Sequence, residues 1–64
     1  MKLSIPDMTC GHCKAAVEKA IIDLDSAADV RVDLPSRTVE IATTAAEGAV
    51  LNALKAEGYP ATPV

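Results

Sequence analysis

Residues 30–42 read VRVDLPSRTVEIA and contain two runs in which polar and apolar side chains alternate. The runs cover residues 30–34 and 38–42, and such alternation is the pattern of a half-buried strand. Pro35, Ser36 and Arg37 lie between the runs, and these residues are typical of a tight connection. The stretch therefore predicts two antiparallel strands joined as a β-hairpin.

The segment before the hairpin predicts another strand and an amphipathic helix. Residues 2–5 alternate polar and apolar side chains until Pro6 ends the run. Apolar residues then recur at spacings of four, four and three, as they do on one face of a helix. The helix is expected to begin close to the cysteines and to end near residues 25–26. Its stripe consists of Cys13, Val17, Ile21 and Leu24, with Ala16 and Ala20 beside them.

The segment after the hairpin predicts a second helix and a last strand. Thr44 lies three residues before Glu47, which is the spacing of a capping box at a helix start. Gly58 is placed to end this helix in a left-handed cap. Residues 59–64 are expected to be extended, and their two prolines restrict this strand to a sheet edge. The apolar stripe of the helix consists of Val50, Leu51 and Leu54, with Ala53 beside them.

The predicted order of elements is β-α-β-β-α-β, without a repeat or a linker, in a chain of 64 residues. This order predicts an α+β sandwich of the split βαβ kind, in which two helices cover one face of a four-stranded antiparallel sheet. Right-handed crossovers place the first and third strands in the centre and the second and fourth at the edges. We expect a single domain over residues 1–64.

The composition excludes several function classes. The net charge is −3 and no run of basic residues occurs, so a nucleic-acid partner is not expected. No apolar stretch is long enough for a signal peptide or for membrane insertion, and we expect a cytoplasmic protein. In that reducing compartment, the two cysteines of the chain are expected to be metal ligands or redox-active thiols rather than a structural disulfide.

Both cysteines lie in the stretch MTCGHC, residues 8–13, between the first strand and the first helix. Unpaired N–H groups and the dipole at a helix start favour the thiolate, which binds metals and also attacks disulfides. A closed zinc site needs four ligands, whereas this stretch offers Cys10 and Cys13 and at most His12 and Met8. Two thiolates are better suited to a soft monovalent ion such as Cu(I).

A site with two ligands on an exposed loop is also open, so the thiolate of another protein can enter and take the ion. The alternative interpretation is a thiol–disulfide oxidoreductase, because C-x-x-C near a βαβ pattern is also the thioredoxin-like signature. Three features disfavour this alternative. The chain is short, no aromatic residue precedes Cys10, and no proline-led strand is available to lie across the thiols.

The motif M-x-C-x-x-C between a first strand and a first helix resembles that of the heavy-metal-associated domain. The resemblance extends over essentially the whole chain and includes the helix stripe and the Gly58-Tyr59 pair. It implies a ferredoxin-like fold and, in the manner of bacterial copper chaperones, a Cu(I) ion held by the sulfurs of Cys10 and Cys13. It further implies that copper passes by ligand exchange to a copper-transporting P-type ATPase or its metal-binding domains, without enzymatic activity.

The family pattern also suggests which residues surround the two ligands. The surface around Thr9, Gly11 and Lys14 is expected to dock the partner, and copper shared between exposed thiolates can bridge two copies into a homodimer. Thr9 directly before Cys10 favours copper, because zinc-exporting relatives tend to place an acidic residue there. A mercury or zinc carrier would nevertheless share the fold and both cysteines.

Four further side chains near the motif have two interpretations each. Met8 is either a third, thioether ligand or a hydrophobic anchor for the loop, and we expect the anchor. His12 either tunes the thiolates or is an ordinary exposed residue, and Tyr59 either tunes them or fills the core. Asp7 replaces the glycine of most family members, so it either adopts a positive φ or adds negative charge near the site.

Overall fold

The computed structural model describes residues 1–64 and contains six elements in the predicted order. The four strands form one antiparallel sheet in the order β2-β3-β1-β4. The first and third strands are therefore central and the other two are edges, as predicted. The elements are β1 (Lys2–Ser4), α1 (Gly11–Leu24), β2 (Asp29–Asp33), β3 (Thr38–Ala42), α2 (Glu47–Ala56) and β4 (Thr62–Pro63).

The hairpin predicted from residues 30–42 is confirmed. Asp33 pairs with Thr38 at the end of the β2–β3 ladder, and residues 34–37 form the connection. The N–H of Arg37 donates to the carbonyl of Leu34 at 3.1 Å, which closes a turn with proline at its second position. Arg37 itself adopts a left-handed conformation with φ of 55°.

The core lies between the helices and one face of the sheet. Alternate residues of β1 and β3 contribute to it, as a period of two requires, together with the apolar stripes of both helices. Its members are Leu3, Ile5, Met8, Val17, Ala20, Ile21, Val39, Ile41, Val50 and Leu54. The two helices therefore cover the same face of the sheet, and the fold is ferredoxin-like.

Leu24 is an exception to the predicted stripe of α1, because 42% of its surface is exposed. It is the last residue of the helix, and the next residue, Asp25, already has an extended backbone with φ of −146°. The buried part of the stripe therefore ends at Ile21, and the prediction that Leu24 belongs to the stripe is wrong.

The predicted capping box at the start of α2 is also wrong. The residue at the N-cap position is Ala46, and no side chain caps the helix. Thr43, rather than Thr44, organises this segment: its hydroxyl accepts from the N–H of Ala45 at 3.1 Å and donates to a carboxylate oxygen of Asp25. Because this contact with the end of α1 holds the backbone before the helix, α2 begins later than a cap at Thr44 would require.

The end of α2 follows the prediction. Gly58 has a φ of +86°, and its N–H donates to the carbonyl of Lys55 at 3.0 Å. The N–H of Tyr59 donates to the carbonyl of Leu54 at 2.9 Å. These two bonds form a Schellman cap, which needs the left-handed backbone that glycine adopts without a steric penalty.

The face of the sheet opposite the helices is open and polar. Lys2 and Arg31 flank Glu40 there, since Glu40 pairs with Lys2 on one side and with Arg31 on the other. Both sheet edges are unpaired. The β2 edge reads DVRVD, whereas β4 has only two residues, of which one is Pro63. Neither helix combines the length and the apolar character that a membrane span requires.

Candidate metal centre

Cys10 and Cys13 lie together at one end of the molecule. Cys10 is the N-cap residue of α1 with an extended backbone, and Cys13 lies in the first turn of that helix. Their Sγ atoms are 3.5 Å apart, and both cysteines are free. This separation exceeds the roughly 2.05 Å of a disulfide. The local sequence thus brings two thiols within reach of a single ion.

The two sulfurs have different surroundings. Cys10 is exposed, whereas Cys13 is half-buried and packs against the hydrophobic core. The carbonyl of Cys10 accepts the first bond of the helix, from the N–H of Lys14 at 3.0 Å. Cys13 therefore lies within the helix and against the core, whereas Cys10 directly precedes the helix and is exposed.

The pKa of Cys13 is lowered from 9.0 to about 6. The largest cause is hydrogen bonding by the Tyr59 side chain, followed by the backbone N–H of Thr9 and by the Cys10 thiol. Burial acts in the opposite direction, because it disfavours the charged form. Cys13 is therefore largely a thiolate at neutral pH, the form that binds metals.

Tyr59 experiences the reciprocal effect. Its pKa is raised, first because its hydroxyl hydrogen-bonds Cys13 and second because burial disfavours the phenolate. Tyr59 is half-buried and packs against the core. The Schellman cap of α2 fixes the backbone from which its ring reaches Cys13.

The other predicted residues near the site occupy contrasting positions. Met8 is completely buried in the core, where its side chain anchors the loop, and its N–H donates to the carbonyl of Ile5 at 3.0 Å. His12 is exposed. Asp7 is exposed and does not have a positive φ, so the conformational explanation for aspartate in place of glycine is wrong.

The residues predicted to dock a partner surround the sulfurs. Thr9, Gly11 and Lys14 are all exposed, and they lie on both sides of Cys10 along the chain. A Cβ added at Gly11 would meet no atom within 4 Å. The surface next to Cys10 is therefore unobstructed.

The sulfurs are the natural donors for a soft ion. Metal–sulfur bonds of about 2.3 Å allow one ion to contact two sulfurs up to about 4.6 Å apart, a range that includes the observed separation. No group of three or more His, Cys, Asp or Glu side chains is arranged to hold a metal. The two sulfurs thus have no third side chain of these types beside them.

One contribution to the site is absent from the sequence-based predictions. The backbone N–H of Thr9 helps to lower the pKa of Cys13, in addition to the docking role and the metal preference that the sequence suggests for Thr9. The residue type does not show which backbone N–H groups will donate, because every residue except proline carries one. The place of the motif before a helix, where N–H groups are unpaired, was the available signal.

The sequence profile of the heavy-metal-associated domain family matches residues 2–60. A copper chaperone CopZ from Staphylococcus aureus is 33% identical over 60 residues, which cover 89% of this chain and 88% of the relative.

Solved structures agree with the sequence match. A gold-binding protein superposes with a TM-score of 0.93 at 39% identity, over 95% of this chain and 94% of its own. The copper chaperone Atx1 from Synechocystis PCC6803, in a trimeric form with a His61Tyr mutation, gives a TM-score of 0.94 at 34% identity, over 97% and 98%. With this fold, this motif and these matches, the chain belongs to the heavy-metal-associated domain family.

Proposed function

We propose that the protein is a Cu(I) chaperone of the cytoplasm that holds one ion between the sulfurs of Cys10 and Cys13. The observation that carries this proposal is the pair of free sulfurs 3.5 Å apart at an exposed end of the molecule. The proposal assigns the protein a carrier role and no catalytic one.

Cu(I) suits this pair better than a harder ion. Thiolates prefer soft metals, and Cu(I) accepts a low coordination number, whereas structural zinc takes four ligands. The lowered pKa of Cys13 keeps one ligand ionised at neutral pH. The copper chaperones among the relatives and structural neighbours support the same metal for this chain.

The receiver in this proposal is a copper-transporting P-type ATPase, through its metal-binding domains. A thiolate of the receiver attacks the bound ion from the exposed side of Cys10 and forms a three-coordinate copper. One of the original sulfurs then leaves, so one copper–sulfur bond forms as another breaks and no oxidation occurs. Thr9, Gly11 and Lys14 form the contact surface, since they are the exposed residues around Cys10.

The test is a titration of the reduced protein with Cu(I) against a chromogenic chelator, combined with mass measurement under native conditions. We expect one tightly bound copper per chain, or one shared by two chains if copper bridges a homodimer. The control is the variant with both Cys10→Ser and Cys13→Ser, which should remain folded. Binding by this variant at the wild-type affinity would refute the site assignment.

A second candidate is a carrier of another soft ion, such as monovalent gold or mercury. The superposition on a gold-binding protein favours this class, because sulfur ligands suit other soft ions as well as Cu(I). Competition of Cu(I), Au(I) and Zn(II) for the metal-free protein under reducing conditions separates the candidates. Retention of Au(I) against excess Cu(I) would favour the gold carrier, and retention of Zn(II) would contradict both candidates.

A further inference from the structure

Arg37 occupies a backbone conformation that costs free energy for its residue type. Its φ of 55° makes it the only residue other than glycine with a positive φ in the chain. Left-handed backbone is uncommon for residues with a side chain, and glycine or asparagine adopts it more readily. Strain of this kind persists where the surroundings hold the residue in place, and it is often linked to function. The contacts of Arg37 indicate which function.

Arg37 is bound to the two consecutive residues that directly follow β1. Its carbonyl accepts from the N–H of Ile5 at 2.8 Å. Its guanidinium Nη1 donates to the carbonyl of Pro6 at 3.3 Å. Pro6 has no N–H, so this bond fixes the one backbone polar group that Pro6 has.

Ile5 and Pro6 are the first half of the turn that leads into the metal-binding loop. The turn is closed by the bond from the N–H of Met8 to the carbonyl of Ile5. Met8 is completely buried, and two residues later the chain reaches Cys10. Pro6 is therefore joined to the first sulfur by a short segment that is closed by one turn and contains the buried Met8.

We propose that Arg37 is a positioning residue for the metal centre: it clamps the entrance of the loop at Ile5 and Pro6 and so limits the positions available to Cys10. Its guanidinium contact explains why a residue with a long side chain occupies a left-handed position where glycine is sterically cheaper. The inference rests on the proposed function, because Cu(I) is the metal whose binding is expected to change. It adds a residue of the β2–β3 turn to those that determine the geometry of the metal centre.

The variant that tests this role is Arg37→Asn, because asparagine tolerates the left-handed backbone and removes the guanidinium. The matched control is Ser36→Ala in the same turn. Ser36 bonds Asp33 and Thr38 within the hairpin and makes no hydrogen bond to Pro6. Arg37→Lys, which keeps the charge and one donor, should restore part of the wild-type behaviour.

The first measurement is amide hydrogen exchange of the metal-free protein. In Arg37→Asn we expect exchange at Met8 to rise about threefold, the effect of losing one surface hydrogen bond, while core amides of β3 and α2 stay unchanged. Ser36→Ala should leave exchange at Met8 at the wild-type rate. Unchanged exchange at Met8, or an equal rise at all amides, would overturn the clamp.

The second measurement is Cu(I) affinity by chelator competition. We expect Arg37→Asn to weaken binding about threefold relative to Ser36→Ala, with partial recovery in Arg37→Lys. Equal affinities of Arg37→Asn and Ser36→Ala would overturn the positioning role even if the exchange at Met8 rises. If the wild-type protein binds no Cu(I), the proposed function fails, and the exchange measurement still tests the clamp by itself.

Discussion

Cys10 and Cys13 are separated by two residues in the sequence, and their sulfurs lie side by side, yet the surroundings of the two side chains differ. Cys13 lies in the first turn of α1 and packs against the core, and its pKa is lowered to about 6, chiefly by the Tyr59 side chain. Cys10 is exposed and lies at the margin of the helix. One short motif thus supplies one sulfur that packs against the core and another that is exposed, as the proposed exchange of ligands requires.

The largest effect is expected from removing either sulfur. Cys10→Ser and Cys13→Ser should each lower Cu(I) affinity more than a hundredfold, because losing even an outer partner of a metal ligand costs about 10–100-fold. Chelator competition measures this loss. An unchanged circular dichroism spectrum shows that the fold is retained, and a loss smaller than that of Tyr59→Phe would contradict the assignment of that cysteine as a ligand.

Tyr59→Phe should produce the next largest effect, and it should act on the Cys13 side alone. The ring stays to fill the core, but the hydroxyl that stabilises the thiolate is lost. The pKa of Cys13 should therefore rise from about 6, and Cu(I) affinity at neutral pH should fall up to about tenfold.

Titration of thiolate absorbance in the ultraviolet follows this pKa directly. The control is the same titration of Cys13→Ser, which identifies the sulfur responsible. An unchanged titration curve in Tyr59→Phe would show that backbone donors alone lower the pKa.

A smaller effect is expected on the stability of the metal-free protein as the pH changes. Below about pH 6 Cys13 is protonated in both states, whereas between about 6 and 9.0 the folded state releases the proton that the unfolded state still binds. The free energy of unfolding should therefore gain a contribution that rises with pH across this window and is lost as the pH falls through about 6.

Urea unfolding at several pH values under reducing conditions measures this contribution. Cys13→Ser should remove it, because serine does not titrate in this range. A pH profile that is the same with and without Cys13 would contradict the stabilised thiolate.

The smallest effect is expected from Gly11→Ala, on the Cys10 side. The added methyl group meets no atom within 4 Å, and alanine is favoured over glycine in helices by up to about 1 kcal/mol. The variant should be equally or more stable in urea unfolding, with unchanged Cu(I) affinity. A loss of stability would show that the surface beside Cys10 is less open than the structure indicates.

The sequence pattern predicted the fold well where one strong regularity governs an element. The period of two in the hairpin gave both strands, and Gly58 gave the end of α2. The predictions for Leu24 and Thr44 failed because these helix ends depend on a tertiary contact. The hydroxyl of Thr43 bonds Asp25, 18 residues earlier, and local propensities contain no information about such a pair.

The candidate site shows the same difference between features set by local sequence and features set by tertiary contacts. The spacing of Cys10 and Cys13 and their place at a helix start could be predicted from sequence. The effect of Tyr59 on the pKa of Cys13 depends on the geometry of the α2 cap, and the bond from Arg37 to Pro6 depends on the geometry of the hairpin turn. Both contacts join residues distant in sequence, so they require the assembled fold.

The two sheet edges have a consequence for self-association. Exposed strand edges are templates for aggregation, and charged side chains, prolines and short length all oppose such pairing. The β2 edge carries Asp29, Arg31 and Asp33, and β4 is two residues long and includes Pro63. These features therefore disfavour pairing between the sheet edges of two molecules. We therefore expect the metal-free protein to stay monomeric at high concentration, so that any self-association would involve metal shared at the thiol end.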